Sequence, residues 1–335
     1  AVILTMPDSI CWLFNIRGSD IPHTPVVLGF AIVPQRGKPE LFIDPGRFDR
    51  VALNEVKEAA KLVNPTKMKE RLAALKMGGK TVRISTASAA YWFERQLGGR
   101  QIVPGEDPCL KPKAIKNSSE IKGMRAAHKR DAVAMCRFLA WFDREAPTGK
   151  LDEISAAKQL EAFRRETNKL REISFDTISG SGPNGAIVHY RVNVETNRRI
   201  GKNELYLVDS GAQYNDGTTD ITRTVLVGRP SAEMRRHFTL VLKGHIAIAA
   251  ARFPVGTRGL DLDPLARQAL WRYGLDFDHG TGHGVGSYLS VHEGPQSISR
   301  RGGVVLEPGM IISNEPGFYK EGAYGIRIEN LVLVE

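Results

Sequence analysis

Leu205-Tyr206-Leu207-Val208-Asp209 runs through a turn at Tyr214-Asn215-Asp216-Gly217 into Thr219-Asp220-Ile221-Thr222. This reads as a β-hairpin with one acid at the end of the first strand and another at the start of the second. The midpoint of Asp209 and Asp220 falls in the turn. A hairpin without a bulge therefore sets the two carboxylates opposite each other on one sheet face. Ser313-Asn314-Glu315-Pro316-Gly317 and Arg327-Ile328-Glu329-Asn330 repeat the arrangement around Lys320-Glu321-Gly322-Ala323, with Gly322 at the midpoint of Glu315 and Glu329.

Like charges opposed on a sheet repel. Burial adds several kcal/mol to that cost or forces one group to keep its proton. Four acids converge stably when two divalent cations sit between them and balance their charge. Between the hairpins stands Gly280-Thr281-Gly282-His283-Gly284, whose glycines let backbone approach closely around an imidazole. A lone acid at a strand end is usually a turn residue or an exposed charge. The symmetric spacing and the glycine-flanked histidine reverse that reading here. Asp209, Asp220, His283, Glu315 and Glu329 are expected to form one dinuclear metal site completed by a bridging hydroxide.

Carboxylates with a single imidazole suit Mn²⁺, with Zn²⁺ or Co²⁺ as alternatives, and composition excludes a Cys-rich zinc site. Leu205 and Leu207 share the face of Asp209 and make the approach apolar. Arg327 shares the face of Glu329 and could steady a ligand carboxylate. His279 and His283 are separated by glycines, which argues against a helical zinc-protease motif. The run Gly180-Ser181-Gly182-Pro183-Asn184-Gly185 lacks the Gly-Lys-Ser/Thr of a phosphate-binding loop. It is read as a loop delivering His189.

Around this core the chain predicts two domains. Residues 1–112 form a small α/β domain, with strands over 10–16, 26–33, 41–43 and 82–84 and helices over 49–63 and 88–97. Proline and lysine make 104–117 a linker. Residues 117–335 open with a helix capped by Ser118 or Ser119 and reaching about 145. His128 lies in its apolar stripe and is read as packing. A second helix, capped by Asp152, runs to about 171, before strands over 187–192, 204–210 and 220–227. The order recurs: a helix from Ser231 to about 251, another over 260–273, then strands over 310–313 and 326–334. Two such halves imply a pseudo-twofold repeat, a curved antiparallel sheet with outer helices, and an α+β fold.

The formal charge of +10 comes from basic pairs scattered along the chain, such as Arg198-Arg199 and Arg300-Arg301. No nucleic-acid surface is expected from this pattern. No apolar run approaches the roughly 20 residues that span a bilayer. Three cysteines, none in a CxxC pair, read as reduced thiols in the cytoplasm. The chain opens without Met and closes on Leu331-Val332-Leu333-Val334-Glu335, so a fragment of a longer polypeptide is expected.

Four stretches carry a resemblance. They are 8–18, 175–186, Asp216-Gly217-Thr218-Thr219-Asp220-Ile221-Thr222-Arg223-Thr224 and His279-Gly280-Thr281-Gly282-His283-Gly284-Val285-Gly286. The chain resembles the pita-bread metallopeptidases, which include methionine aminopeptidase, prolidase, creatinase and aminopeptidase P. The likeness is strongest to the cytosolic, three-domain aminopeptidase P branch. It implies the same five ligands, with Asp220 and Glu329 bridging two ions. It also implies substrate-handling histidines at His189, His279 and His292. In the implied reaction, a peptide with proline in second position loses its first residue. His292 and His189 stabilise the tetrahedral intermediate, and Glu315 shuttles a proton to the proline nitrogen. The full-length form is expected to be a homodimer. A prolidase acting on Xaa-Pro dipeptides is the nearest rival. A non-enzymatic binding module is weaker, since all five ligand types are kept.

Overall fold

The structure, a computed structural model, describes residues 1–79 and 81–335. The chain divides into two units, Ala1–Lys113 and Ala114–Glu335.

In the first unit a six-stranded mixed sheet runs in the spatial order Lys61–Val63, Glu40–Phe42, Phe30–Val33, Val2–Leu4, Val82–Ile84, Ile102–Pro104. Ile3, Phe42, Leu72, Val82 and Phe93 fill its core. Asp49 caps the helix Arg50–Ala59 by accepting from the Ala52 amide at 2.8 Å. The expected strand over 10–16 is instead the helix Pro7–Leu13. Pro7 sits in its first turn, where the missing N–H costs nothing and the fixed φ already suits a helix. Ser9, Ile10 and Cys11 then turn inward together. The expected linker is also structured: it holds the end of the strand Ile102–Pro104 and the helix Leu110–Ala114. Lys113 is buried there against Asp8 at 2.8 Å.

In the second unit every strand pairing is antiparallel. The helices Ser118–Glu145 and Glu153–Arg165 cover the strands Ile178–Ser181, Glu204–Ser210 and Ile221–Val227. Phe138, Phe142, Leu160, Tyr206 and Val208 form that core, with Phe142 stacked on Tyr206 at 4.5 Å. The helices Ala232–Ala249 and Gly259–Trp271 cover Ile311–Asn314, Gly317–Lys320 and Tyr324–Arg327 through Val241, Ile248, Ala266, Leu270, Ile312 and Ile326. The two halves repeat the order of helix pair and hairpin.

Details of the second unit depart from expectation for local reasons. Asn117, not a serine, caps the long helix: its Oδ1 accepts from Ser119 and Glu120, while Glu120 accepts from the Asn117 amide. Such a reciprocal cap is worth about 1 kcal/mol. The second helix stops at Arg165, where Thr167 bonds the Arg164 carbonyl and Asn168 turns left-handed at φ 55°. Residues 187–192 form no strand; this segment instead supplies Val188, His189 and Arg191 to a cavity wall. The expected strand over 326–334 is two strands, Tyr324–Arg327 and Asn330–Leu333, because Pro316 opposite has no N–H to give. Among the described residues no helix is long and apolar enough to cross a membrane.

Candidate metal centre

The first hairpin pairs Asp209 with Thr222, Ser210 with Ile221 and Tyr214 with Gly217. Its loop is Asn215-Asp216, so the pairing centre lies one residue beyond the midpoint of the two acids. Asp209 and Asp220 are therefore not opposed, as the midpoint predicts, but diagonal. Asp220 stands two residues from Thr222, an even step that keeps it on the face of Asp209. In the second hairpin Asn314 pairs with Asn330 and Gly317 with Arg327. The same register sets Glu315 opposite Glu329, in the gap at Pro316.

The histidine turn is tied directly to the second hairpin. The His283 amide donates to Ser313 Oγ at 2.9 Å, and the Glu315 amide donates to the Thr281 carbonyl at 2.8 Å. A Cβ on Gly282 would run into the Ser313 carbonyl oxygen, so only glycine permits this approach. The His283 Nδ1 faces the Gly284 carbonyl at 2.9 Å. A carbonyl only accepts, so Nδ1 carries a hydrogen and Nε2 is the ring atom turned toward the acids. That Nε2 lies 3.3 Å from Glu315 Oε1 and 3.5 Å from Asp220 Oδ2. Ligand atoms of Asp220, His283 and Glu329 all fall within 4.8 Å of one another.

These acids are electrostatically uncomfortable without a cation. Burial, and then the charges of Asp209 and Glu315, push the Asp220 carboxyl well above its ordinary range. Burial and then Asp220, Glu315 and Asp209 do the same to Glu329. Burial also raises Glu315, against the lowering effect of His283 and Arg327. Asp209 Oδ1, Asp220 Oδ1 and Glu329 Oε1 are buried with no hydrogen-bond partner among the described residues. Orphaned buried carboxylate oxygens beside an imidazole nitrogen are a donor set that fits hard or borderline divalent cations.

A cavity of about 800 Å³ opens onto this cluster. All nine sequence-predicted residues line it: Asp209, Asp220, His283, Glu315, Glu329, His189, His279, His292 and Arg327. Burial first, then Arg327, pushes the His279 imidazole down to about 3. Burial first, then His283, pushes His292 down to about 4. The His292 and His283 rings meet edge to face, 4.1 Å between centroids.

Three contributors escaped sequence reasoning. Thr222 Oγ1 donates to Glu329 Oε2 at 2.6 Å. Its place on the shared face, two residues from Asp220, was a usable signal. Ser313 Oγ donates to Glu315 Oε1 at 3.0 Å. Tyr319 links Arg327 Nη1, at 2.6 Å, to His279 Nε2, at 2.8 Å. Nothing local marks Tyr319, because its partners are remote along the chain or reached only through the hairpin.

Residues 122–335 match metallopeptidase family M24, and residues 1–120 match the creatinase/prolidase N-terminal domain. The chain belongs to metallopeptidase family M24, and its second unit has the pita-bread fold of that family. Within the family, its full length is 44% identical to a probable Xaa-Pro aminopeptidase P of Sordaria macrospora, of which it covers 57%. It is 43% identical to aminopeptidase P2 of Arabidopsis thaliana, of which it covers 52%. The chain thus spans about half the length of the curated relatives it matches. X-prolyl aminopeptidase from Caenorhabditis elegans, described as a cytosolic enzyme with a di-nuclear active site, superimposes with a TM-score of 0.94 at 39% identity, over 99% of this chain and 55% of that one. Xaa-Pro dipeptidase from Bacillus anthracis gives 0.81 at 25% identity, over 100% and 90%.

Proposed function

We propose that this chain carries the catalytic unit of an Xaa-Pro aminopeptidase, which releases the first residue from peptides with proline in second position. The observation that carries the reading is the convergence of Asp209, Asp220, His283, Glu315 and Glu329 on one cavity, with orphaned buried oxygens on Asp209, Asp220 and Glu329. The aminopeptidase relatives supply the substrate class. These five side chains would hold two divalent cations, with Mn²⁺ proposed. When bound, such ions activate water and polarise the scissile carbonyl.

The protein's own groups do the rest. An Xaa-Pro bond is a tertiary amide with no N–H, so recognition cannot rest on that donor. His292 and His189, which line the cavity, would hydrogen-bond the oxygen that gains charge in the transition state. Glu315 takes up a proton and delivers it to the leaving proline nitrogen. His279 faces the proline side, held by the Tyr319 hydroxyl. Arg327 steadies Asp209. The reading includes a cytoplasmic enzyme that pairs as a homodimer at full length, which light scattering on the full-length protein tests.

The decisive assay is Mn²⁺-dependent release of the first amino acid from an Xaa-Pro-Yaa tripeptide by the purified chain, beside an Xaa-Pro dipeptide. Cleavage of the tripeptide is expected. Cleavage of the dipeptide alone would favour a prolidase, the reading that the dipeptidase match over 90% of that chain supports. Mn²⁺ binding without cleavage of either peptide would overturn both.

A further inference from the structure

Behind the two glutamates lies a layer of hydrogen bonds that the scheme above does not use. Asn314 precedes Glu315, Asn330 follows Glu329, and the two asparagines pair across the ladder. His245, on the helix Ala232–Ala249, reaches both of them. Its Nδ1 is 3.1 Å from the Asn314 carbonyl oxygen, and its Nε2 is 3.3 Å from the Asn330 Nδ2. The Asn314 side-chain amide donates back to the His245 carbonyl at 2.9 Å. On the far side Arg223 donates to Asn330 Oδ1 at 3.0 Å and to the Glu329 carbonyl at 2.8 Å.

The polarity of this chain of bonds is determined at both ends. A carbonyl only accepts, so His245 Nδ1 carries a hydrogen. A guanidinium only donates, so the Asn330 oxygen faces Arg223 and its nitrogen faces His245. A neutral imidazole donating from Nδ1 offers Nε2 to the Asn330 amide, and the Ile328 backbone adds a further hydrogen bond to the ring. The side chain is 7% exposed, and its burial works against the charged form. The helix that carries it is also fixed. A Cβ on Gly244 would run into the Ala266 carbonyl oxygen, so this helix lies directly against Gly259–Trp271. The brace grips the hairpin beside the point where its ladder lacks a donor: Pro316 accepts from the Ile328 amide at 3.3 Å but has no N–H to return.

We propose that His245 is a positioning residue of the metal centre: by bridging Asn314 and Asn330 it sets the separation of Glu315 and Glu329, and so the affinity for divalent cations. This rests on reading the five side chains above as the ligand set.

The test is calorimetric titration of the metal-free purified chain with Mn²⁺, with the metal-free Tm measured alongside. His245→Phe removes both contacts. His245→Asn places a donor near the Nδ1 position, and His245→Gln places an acceptor near the Nε2 position. His245→Phe is expected to weaken Mn²⁺ binding by about 10- to 100-fold, with Asn and Gln each recovering part of the loss. Wild-type affinity in the Phe variant would overturn the proposal. So would losses that follow the metal-free Tm of each variant rather than the contact it keeps. A wild-type chain that binds no Mn²⁺ would remove the ligand set itself, whereas wild-type binding with unaffected variants would remove only the brace.

Discussion

Arg327 donates through Nη2 to Asp209 Oδ2 at 2.7 Å, and the guanidinium is 2% exposed. Its Nη1 is committed to Tyr319. A lysine has one compact ammonium and cannot hold both partners in a planar fork. Arg327→Lys is therefore expected to lower kcat/KM by about 100-fold, in the range seen when outer-shell partners of metal ligands are lost. Arg327→Met leaves a buried acid unpaired and is expected to cost about 3 kcal/mol in the metal-free protein. Urea unfolding and steady-state kinetics check the two statements separately.

The acid cluster makes stability depend on pH in a definite direction. Burial, and then neighbouring charge, raises Asp220 and Glu329 in the metal-free fold, and burial raises Glu315. The folded chain holds protons there that the unfolded chain releases. The contribution of these groups is fully present below their ordinary values of 3.8 and 4.5, and it is lost as pH rises through their folded values. Metal-free Tm is expected to fall as pH rises from that range toward neutrality, and less steeply in Glu329→Gln. Added Mn²⁺ should restore Tm while releasing protons. Equal slopes in wild type and variant would count against this account.

His279 and His292 behave in the opposite sense. Burial first lowers His279 to about 3 and His292 to about 4. Their contribution is present above the ordinary value of 6.5 and is lost as pH falls through the folded values. NMR of the metal-free protein is expected to show neither imidazole titrating between about pH 5 and 8. A midpoint near 6.5 for either would contradict the burial argument.

His292 lines the cavity beside His283 but lies outside the trio of closely spaced ligand atoms. His292→Ala is expected to reduce kcat by about 10²- to 10³-fold, the effect of losing one donor to a developing oxyanion. Metal content, measured by atomic absorption, should stay at the wild-type level. An unchanged kcat would take His292 out of the reaction.

Gly282→Ala sets a methyl group against the Ser313 carbonyl, which is backbone and cannot step aside. The expected cost is about 1–3 kcal/mol of stability. Displacing His283 should also weaken Mn²⁺ binding more than an alanine at the exposed Gly303, where a Cβ meets nothing within 4 Å.

Much of the site could be read from the linear chain because hairpins encode distance. A strand–turn–strand unit fixes which residues face each other, so the spacing of Glu315 and Glu329 about Gly322 sufficed to oppose them. The same rule erred by one residue of turn centre at Asp209 and Asp220. It still kept the correct face, because the resulting shift was an even number of residues. Fold class was legible for a similar reason: helical and strand periodicities alternate in the same order in both halves.

Sequence periodicity failed where a local feature or a remote partner outweighed composition. Pro7 turned a β-branched run into a helix, and Pro316 split a strand by withholding a hydrogen bond. By itself the amino-acid order determined the class of fold, the identity of the acids and the face they share, because backbone periodicity and turn position are local properties. Only the tertiary structure decided that His283 lands between Asp220 and Glu315, that Tyr319 joins Arg327 to His279, and that His245 braces both glutamate strands. Those contacts bring together groups far apart along the chain, and it is the packing of helices on sheets that brings them within hydrogen-bonding distance.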